Sequence, residues 1–424
     1  MRVVVCTIVH HPADARIYHR QIRALLDAGH EVRYIAPVGT QDFDTERAGP
    51  SLHLTPVPRA SGRRRAGAIL AARSALARQA TDADLMLIHD PELLLALPPR
   101  RRRPPVIWDV HEDTAAALGT KPWLPRPLRP PAAAAVHTAE RMAERYVHLI
   151  LAEHGYVARF GLPHPVVPNT TYVPDVPAPP GDSASGEGRR VVYVGHLSPD
   201  RGTADMIELA RLLRPRGVTV ELIGPADARA RAQIEPAQAV GLLRWRGFVP
   251  NDQAMPMLDG ALAGLSLLHD EPNFRHSLPT KVVEYMARGV PVVTTPLPAA
   301  AELARGHQCG FVVPFGDPRA AAGAVLELDR DISLRAKMGR RGHEAAHSSL
   351  GWPSDAREFV AQLESWAKEK LPPGRFKVVW NSPSGHLAKR RTAAGMKGQE
   401  CGSVWRLWRA CARLSRATRS SPRR

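Results

Sequence analysis

One segment of the chain places a cation and a carboxylate three residues apart at the start of a predicted helix. Lys281 and Glu284 follow Pro279, whose missing N–H costs nothing in a first helical turn. Gly289 and Pro291 mark the end of that helix. Residues three apart share one helix face, and the free amides at a helix N-terminus attract anions. The spacing indicates either a site for a phosphate and for ribose hydroxyls, or an i,i+3 surface ion pair.

A second candidate segment lies between a predicted strand, Arg190–Val194, and a predicted helix, Thr203–Arg214. Gly195 at the strand end lets a ligand approach the backbone, and Arg201 can bind a diphosphate through two parallel hydrogen bonds. Gly202 follows at the start of the helix. The alternative is an ordinary strand-to-helix turn.

Two loops in the first half of the chain combine histidines with acids directly after predicted strands. His89 ends the predicted strand Leu85–His89 and Asp90 follows it. His111-Glu112-Asp113 follows the predicted strand Val106–Val110. Such loops meet at one edge of a parallel sheet, where they favour a binding site over purely structural roles. Candidates for binding acceptor hydroxyls are Asp14, Arg16, Asp90 and Glu112, with helix capping as the alternative.

The elements that must position these residues alternate between short β-branched runs and helical patterns, which is typical of parallel sheets in α/β folds. The pattern restarts after a Pro-, Gly- and Ser-rich stretch. We therefore expect two facing Rossmann-like, doubly wound domains with a cleft between them. The expected ranges are 1–173 for the first domain, 174–188 for a linker, 189–350 for the second domain, 351–370 for a helix and 371–424 for a basic, disordered tail.

The charge of the chain is concentrated at its end. The net charge is +17, and residues 371–424 carry 13 Lys or Arg and one acid, Glu400, which leaves +5 for the rest. This distribution argues against a nucleic-acid-binding protein. The four cysteines match neither a zinc pattern nor a disulfide framework, which fits a reducing cytoplasm. We expect no signal peptide and no membrane-spanning segment.

The segment from Pro272 to Val293 resembles the donor-site motif of the GT-B-fold retaining glycosyltransferases of family four, also called group 1. In that family one Glu opens the motif and contacts the donor sugar, and a second Glu holds the donor ribose. Glu284 matches the second Glu, whereas His276 stands in place of the first. Ser277 and Leu278 lie in the same segment and are implied to bind the donor.

Other segments extend the resemblance over roughly residues 1–370. Arg201-Gly202 matches a family Lys-Gly pair, with His196 in place of an Arg. Trp245–Pro250, which includes Phe248, resembles the part that flanks the nucleobase. His111 matches an active-site His near the donor sugar. Similar stretches are His11–Ile17, Gly310–Pro318 and Met338–Gly342.

The resemblance implies a retaining transfer from a nucleotide diphosphate sugar to a glycan or lipid-linked acceptor, in cell-surface polysaccharide or glycolipid synthesis. Catalytic roles fall to His111, Arg201 and Lys281, since the latter two cations and the nearby helix amides stabilise the leaving diphosphate. We therefore expect neither a metal nor a cofactor, and attack on the donor's front face. The alternatives are a non-hydrolysing nucleotide-sugar epimerase and a non-catalytic sugar-nucleotide-binding protein.

Several basic residues could attach the protein to an anionic membrane surface. Four groups fall in the predicted loops of the first domain: Arg63–Arg65, Arg100–Arg103, Arg126 and Arg129. Together with Trp405 and Trp408 of the tail, they suggest a peripheral enzyme on the anionic inner face of the plasma membrane. The alternative is that these are solvated loops and a disordered basic tail.

Overall fold

Two six-stranded parallel sheets organise the chain, in a computed structural model that describes residues 1–38, 49–119, 125–179, 181, 189–275 and 277–369. Within these ranges the first sheet has the strand order β3-β2-β1-β4-β5-β6. Its strands are β1 Arg2–Cys6, β2 Glu31–Ala36, β3 Leu52–Pro56, β4 Leu85–Ile88, β5 Val106–Val110 and β6 His148–Leu151. The order reverses between β1 and β4, so ligands are expected beyond the carboxyl ends of these two strands.

The second sheet repeats this topology, with the order β12-β11-β10-β7-β8-β9 among the described residues. Its strands are β7 Arg190–Val194, β8 Thr219–Ile223, β9 Arg244–Trp245, β10 Ala263–Ser266, β11 Val292–Thr294 and β12 Gly310–Val312. The reversal here lies between β7 and β10. Both sheets are buried on both faces, which explains their continuous runs of Val, Ile and Leu.

Helices cover the faces of both sheets. In the first domain they are α1 Arg23–Asp27, which continues a π-helical turn at Ile17–Ile22, then α2 Arg65–Gln79, α3 Thr114–Gly119 and α4 Arg129–Ala143. In the second they are α5 Thr203–Leu213, α6 Ala228–Ala239, α7 Asn251–Ala254, α8 Pro272–Arg275, α9 Thr280–Ala287, α10 Pro298–Gly306, α11 Pro318–Arg330 and α12 Ile332–Ser349. The GT-B fold predicted from the sequence, with two facing Rossmann-like domains, is confirmed.

The last helix, α13 Trp352–Lys368, returns to the first domain. Phe359, Leu363 and Trp366 are buried in the same cluster as the apolar side chains of β1 and β2. Trp366 stacks on His148 with ring centroids 4.6 Å apart. The first domain therefore closes its core with residues from the far end of the chain.

Most predicted strands match the structure to within three residues at either end, and the helices α5 and α13 lie where helices were expected. The sequence prediction missed β3 and β6, which are short, and several helices, among them α2. Because α2 and α4 begin at Arg65 and Arg129, these two residues are helical and were wrongly assigned to loops. The tail from residue 370 onward lies outside the described residues.

Candidate active site between the two domains

The π-helical turn at Ile17–Ile22 and the residues just before it bring polar side chains to the carboxyl ends of the strands in the first domain. Asp14 Oδ1 accepts from the amides of Arg16 and Ile17 at 2.8 and 3.0 Å, which fixes the start of the turn. Arg16 then donates twice to the buried Asp109, at 2.7 Å each, and Gln21 donates once at 2.9 Å. The wide turn places both residues on one face, as such turns often do at functional sites.

Asp109 anchors the polar end of the first sheet. Burial raises its pKa, but the Arg16 guanidinium and its hydrogen bonds outweigh this effect and hold the pKa well below its usual range. His89 Nδ1 lies 3.2 Å from the same carboxylate. The ionised Asp109 therefore holds residues from β4, β5 and the first turn in one rigid cluster.

Two histidines, His10 and His111, contact each other next to the Asp109 cluster. His10 Nε2 and His111 Nε2 are 2.9 Å apart, and His111 Nδ1 lies 3.1 Å from the carbonyl oxygen of Asp109. Burial lowers the pKa of His111, and His10 lowers it further. Burial also acts to lower the pKa of His10, but Asp90 and Asp14 outweigh it and raise that pKa. The opposite directions of these two shifts favour a proton on His10 over one on His111. With Nδ1 of His111 at a carbonyl oxygen, a neutral His111 accepts at Nε2 from His10.

The sequence-predicted acceptor residues fall into two groups. Arg16 and Asp90 are buried, and Asp90 Oδ2 accepts from the amides of Ile8 and Val9 at 2.5 and 3.3 Å. Asp14 remains partly accessible and Glu112 is exposed. Asp14 and Glu112 can therefore contact a ligand directly. Arg16 and Asp90 instead hold the surrounding loops in place.

Two cations lie close enough to influence each other in the second domain, Lys281 and Arg201. Lys281 is buried, and its Nζ lies 4.6 Å from the centre of the Tyr193 ring. A side chain at Gly195, whose φ is +121°, would meet Lys281 Nζ at 3.6 Å. Burial, with Arg201 as a lesser cause, lowers the pKa of Lys281 to about 7. Among the described residues neither Lys281 nor Arg201 has a salt-bridge partner, and the Glu284 charge only partly offsets the lowering of the Lys281 pKa.

Gly202 is required by close packing. Its φ is +78°, and a Cβ there would lie 2.1 Å from the carbonyl oxygen of Leu267. The turn that carries Arg201 is therefore pressed against the end of β10. Arg201 itself lies over the ring of Phe274, at 5.6 Å, while His196 is exposed. These contacts place Arg201 and Lys281 on the same side of the second sheet.

Three contacts cross between the domains at the donor motif. Glu284 Oε1 accepts from Arg20 Nη2 at 3.2 Å, and the Leu278 amide donates to Glu153 Oε2 at 3.3 Å. The Phe248 and His11 rings lie 4.1 Å apart. Burial raises the pKa of Glu153 to about 7 despite its hydrogen bond from Leu278. The second-domain residues in these contacts, Glu284, Leu278 and Phe248, are ones that the sequence motifs predict to bind the donor.

The structure brings together most of the residues predicted from the sequence. Lys281 and Glu284 are buried rather than forming a surface ion pair, so that alternative is wrong. Ser277 lies next to Leu278 in the loop before α9, whereas His276 lies outside the described residues. Sequence analysis missed His10, Arg20 and Glu153. In the sequence Arg20 lies in the polar run His19–Gln21 of the first helix, and only the structure shows that it is buried.

Within the part of the chain that the structure describes, two groups of side chains have the spacing of metal ligands. The ligand atoms of His10, His111 and Glu112, and those of His89, Asp109 and His111, lie within 4.8 Å of one another. In both groups hydrogen bonds already engage donor atoms, since the two Nε2 atoms of the histidine pair face each other and Asp109 binds Arg16. The arrangement is that of a hydrogen-bonded cluster.

Comparison with known families agrees with this architecture. Residues 15–191 match the model "Glycosyl transferase 4-like domain", and residues 188–331 match "Glycosyl transferases group 1". The two matches together span residues 15–331, and the two-sheet fold is that of GT-B-type glycosyltransferases. The chain belongs to the group 1 glycosyltransferase family.

Individual proteins show the same relationship. The chain is 30% identical over 188 residues to "Putative colanic acid biosynthesis glycosyltransferase WcaL" of Salmonella typhimurium, covering 43% of this chain and 46% of that protein. It is 26% identical to the phosphatidyl-myo-inositol mannosyltransferase of Mycolicibacterium smegmatis, covering 76% and 82%. The Anabaena Alr3699/HepE structure in complex with UDP-glucose superposes with a TM-score of 0.62 at 15% identity, covering 86% and 100%. The match spans less than half the length of the first curated relatives.

Proposed function

We propose that this protein is a retaining glycosyltransferase that moves a sugar from a nucleotide diphosphate donor to a glycan or lipid-linked acceptor. The observation that carries the proposal is the pair of neighbouring cations, Lys281 and Arg201, neither of which has a salt-bridge partner among the described residues. Burying an ammonium without a counter-ion is costly, so this arrangement is best explained by an anionic ligand. The relatives are named for transfer in polysaccharide, capsule and lipopolysaccharide synthesis, which supports the same class of reaction.

The reaction places growing negative charge on the diphosphate as the glycosidic bond breaks. Lys281 and Arg201 stabilise that charge at fixed positions, which is the largest contribution a site of this kind makes to catalysis. Glu284 accepts from the ribose hydroxyls, while Gly195 and the Ser277-Leu278 loop bring backbone close to the donor. Gly202 contributes by forming the turn that carries Arg201. Phe248 and His196 are proposed to contact the donor as well. His276 is proposed to contact the donor sugar.

His111 is proposed to lie beside the reacting sugar. It is held by His10 on one ring nitrogen and by the Asp109 carbonyl on the other. A neutral imidazole fixed in this way is oriented without adding charge near the anomeric carbon. Asp14 and Glu112 bind acceptor hydroxyls, while Arg16 and Asp90 maintain the loop geometry. No step of this account requires a metal ion.

The lipid-surface proposal has limited support. Arg63–Arg65 follow the carboxyl end of β3, whereas Arg100–Arg102 lead into the amino end of β5. The two groups therefore lie at opposite edges of one parallel sheet and do not form a single membrane-facing patch. A search of the described helices finds none that combines the length and apolarity of a membrane span. Peripheral attachment would thus depend on the acceptor or on residues 371–424.

The proposal is tested by melting temperatures measured with UDP, GDP and ADP. At about 100 times its dissociation constant, a bound nucleotide adds about 2.7 kcal/mol to the free energy of unfolding. We expect one nucleotide to raise the melting temperature of the wild type and of the control Glu302→Ala, whose side chain is exposed on α10. Glu284→Ala should abolish the rise. The absence of any shift in the wild type would contradict the proposal.

The two alternatives differ in the fate of the donor. An epimerase converts a nucleotide sugar without an acceptor, and a non-catalytic binder leaves it unchanged. Incubation with the matching nucleotide sugar and an acceptor extract, followed by analysis of the anomeric product, separates these outcomes. Release of nucleoside diphosphate that depends on the acceptor supports transfer.

A further inference from the structure

A buried arginine of the first domain holds one oxygen of the Glu284 carboxylate. Arg20 Nη2 donates to Glu284 Oε1 at 3.2 Å, and the two side chains are 3% and 6% exposed. Asn251 Nδ2 donates to the same oxygen at 3.2 Å. Among the described residues no donor binds the other oxygen, Oε2. The carboxylate is therefore fixed at one oxygen and available to a ligand at the other.

We infer that Arg20 is a positioning residue for donor recognition. By holding Oε1, it orients Glu284 so that Oε2 accepts from the ribose hydroxyls of the nucleotide. This inference rests on the proposed function and adds a role for the first domain in reading the nucleotide. Residues 264 positions apart in the chain would then form one recognition unit.

The arginine is suited to this role because its own support is rigid. Its helical turn is tied to the first sheet by Arg16 and Gln21, both of which donate to Asp109. A guanidinium presented from such a turn holds its partner in a fixed plane, as a site of defined geometry requires.

The charge of Arg20 is a second reason to assign it a role in donor binding. Glu284 lies one helical turn from Lys281, and an unpaired carboxylate there would compete with a diphosphate for the ammonium. Arg20 compensates the charge of Glu284 through its ion pair with Oε1. The Lys281 ammonium is thereby left for the anion, while Glu284 is left for the hydroxyls.

An ordinary interdomain brace would make the same contact without affecting ribose recognition, so the test measures selectivity for the ribose. Isothermal titration calorimetry gives the dissociation constants of UDP and 3′-deoxy-UDP, with the guanosine and adenosine pairs measured in parallel. The proteins are the full-length wild type, Arg20→Ala, Arg20→Lys and the control Arg190→Ala. Arg190 pairs with Glu221 at the amino end of β7, far from the carboxyl ends of the strands.

We expect the wild type and Arg190→Ala to prefer the ribonucleotide by about tenfold, as loss of a hydroxyl bound to a carboxylate predicts. Arg20→Ala should bring the ratio to within about twofold of unity, mainly by weakening the ribonucleotide. Arg20→Lys keeps the charge and the fold but loses the planar donor pair, and it should lower the ratio at least threefold. Melting curves establish which variants are folded, and Arg20→Lys decides the question if Arg20→Ala does not fold.

The outcomes separate this inference from the function it rests on. A wild-type ratio that persists in every folded Arg20 variant overturns the role of Arg20 and leaves the proposed function standing. Nucleotide binding by the wild type without any preference for ribose removes the role of Glu284 and, with it, that of Arg20. A wild type that binds none of the nucleotides overturns both proposals.

Discussion

At the scale of single residues, the candidate site combines charged residues that the sequence predicts with partners that the sequence does not reveal. Lys281, Arg201 and Glu284 were identified from their spacing and from the resemblance to the family motif. Their electrostatic state depends on burial and on neighbours such as Arg20, which only the folded chain supplies. Affinity for the donor should therefore respond to pH in a way that composition does not predict.

The first prediction concerns Lys281, whose pKa is lowered to about 7. A bound diphosphate favours the charged ammonium, so binding above pH 7 requires a proton to be taken up. The dissociation constant of the nucleotide diphosphate should rise with pH, by up to about tenfold per unit, between pH 7 and the pKa of the complex. Calorimetry from pH 6.5 to 9 measures this slope.

Lys281→Arg is the matched control, because its guanidinium stays charged throughout this range. The variant should bind with a nearly constant affinity above pH 7, where the phosphate groups have completed their own ionisation. Equal slopes for the wild type and Lys281→Arg would show that Lys281 does not titrate in the site.

At the scale of elements, the second domain depends on a turn that only glycine can form. Gly202 combines a φ of +78° with a position where an added Cβ would lie 2.1 Å from the carbonyl oxygen of Leu267. The turn joins β7 to α5 and carries Arg201, so backbone packing and the position of the cation are linked. The sequence pattern indicated the turn, but the close approach to the end of β10 is a tertiary contact.

The second prediction is that Gly202→Ala destabilises the protein more than Gly241→Ala does. Both glycines have positive φ, but a Cβ at Gly241 would meet nothing within 4 Å. Gly241→Ala should cost about 1–2 kcal/mol for the left-handed backbone alone. Gly202→Ala adds a clash with the Leu267 carbonyl and should cost clearly more. Urea unfolding measures both, and equal costs would mean that the turn relaxes freely.

At the scale of the whole molecule, the two domains are joined twice. The chain crosses from the first domain to the second before β7, and α13 crosses back to complete the first core. His30 Nε2 lies 3.0 Å from Glu364 Oε1, which adds a polar contact to this return. The stability of the first sheet is therefore coupled to residues more than 300 positions away.

The third prediction is that Phe359→Ala destabilises the first domain although the residue lies near the end of the chain. Removing a fully buried Phe costs about 3–5 kcal/mol. Hydrogen exchange should show lost protection in β1 and β2, with β8 little changed. Glu358→Ala, at the exposed neighbouring position, is the control. Uniform loss of protection in both sheets would indicate that the domains unfold as one unit.

The sequence by itself determined the class of fold, most of the strands and the donor motif. Local periodicity fixes which residues form buried strands, and the caps and glycines around Lys281 and Glu284 act within a few residues. Among the strands that escaped, β3 mixes apolar with polar residues at one edge of the sheet. Only four residues separate β6 from the end of α4, and its short apolar run does not stand apart from the helical pattern.

Only the tertiary structure decided which groups face each other across the site. His10 and His111 are 101 positions apart, Glu153 and Leu278 are 125 apart, and Arg20 and Glu284 are 264 apart. Such pairings follow from strand order, from the reversal of each sheet and from the docking of the two domains. A local sequence pattern does not predict these long-range pairings, because the free energy that selects them comes from burying surfaces that are distant in the chain.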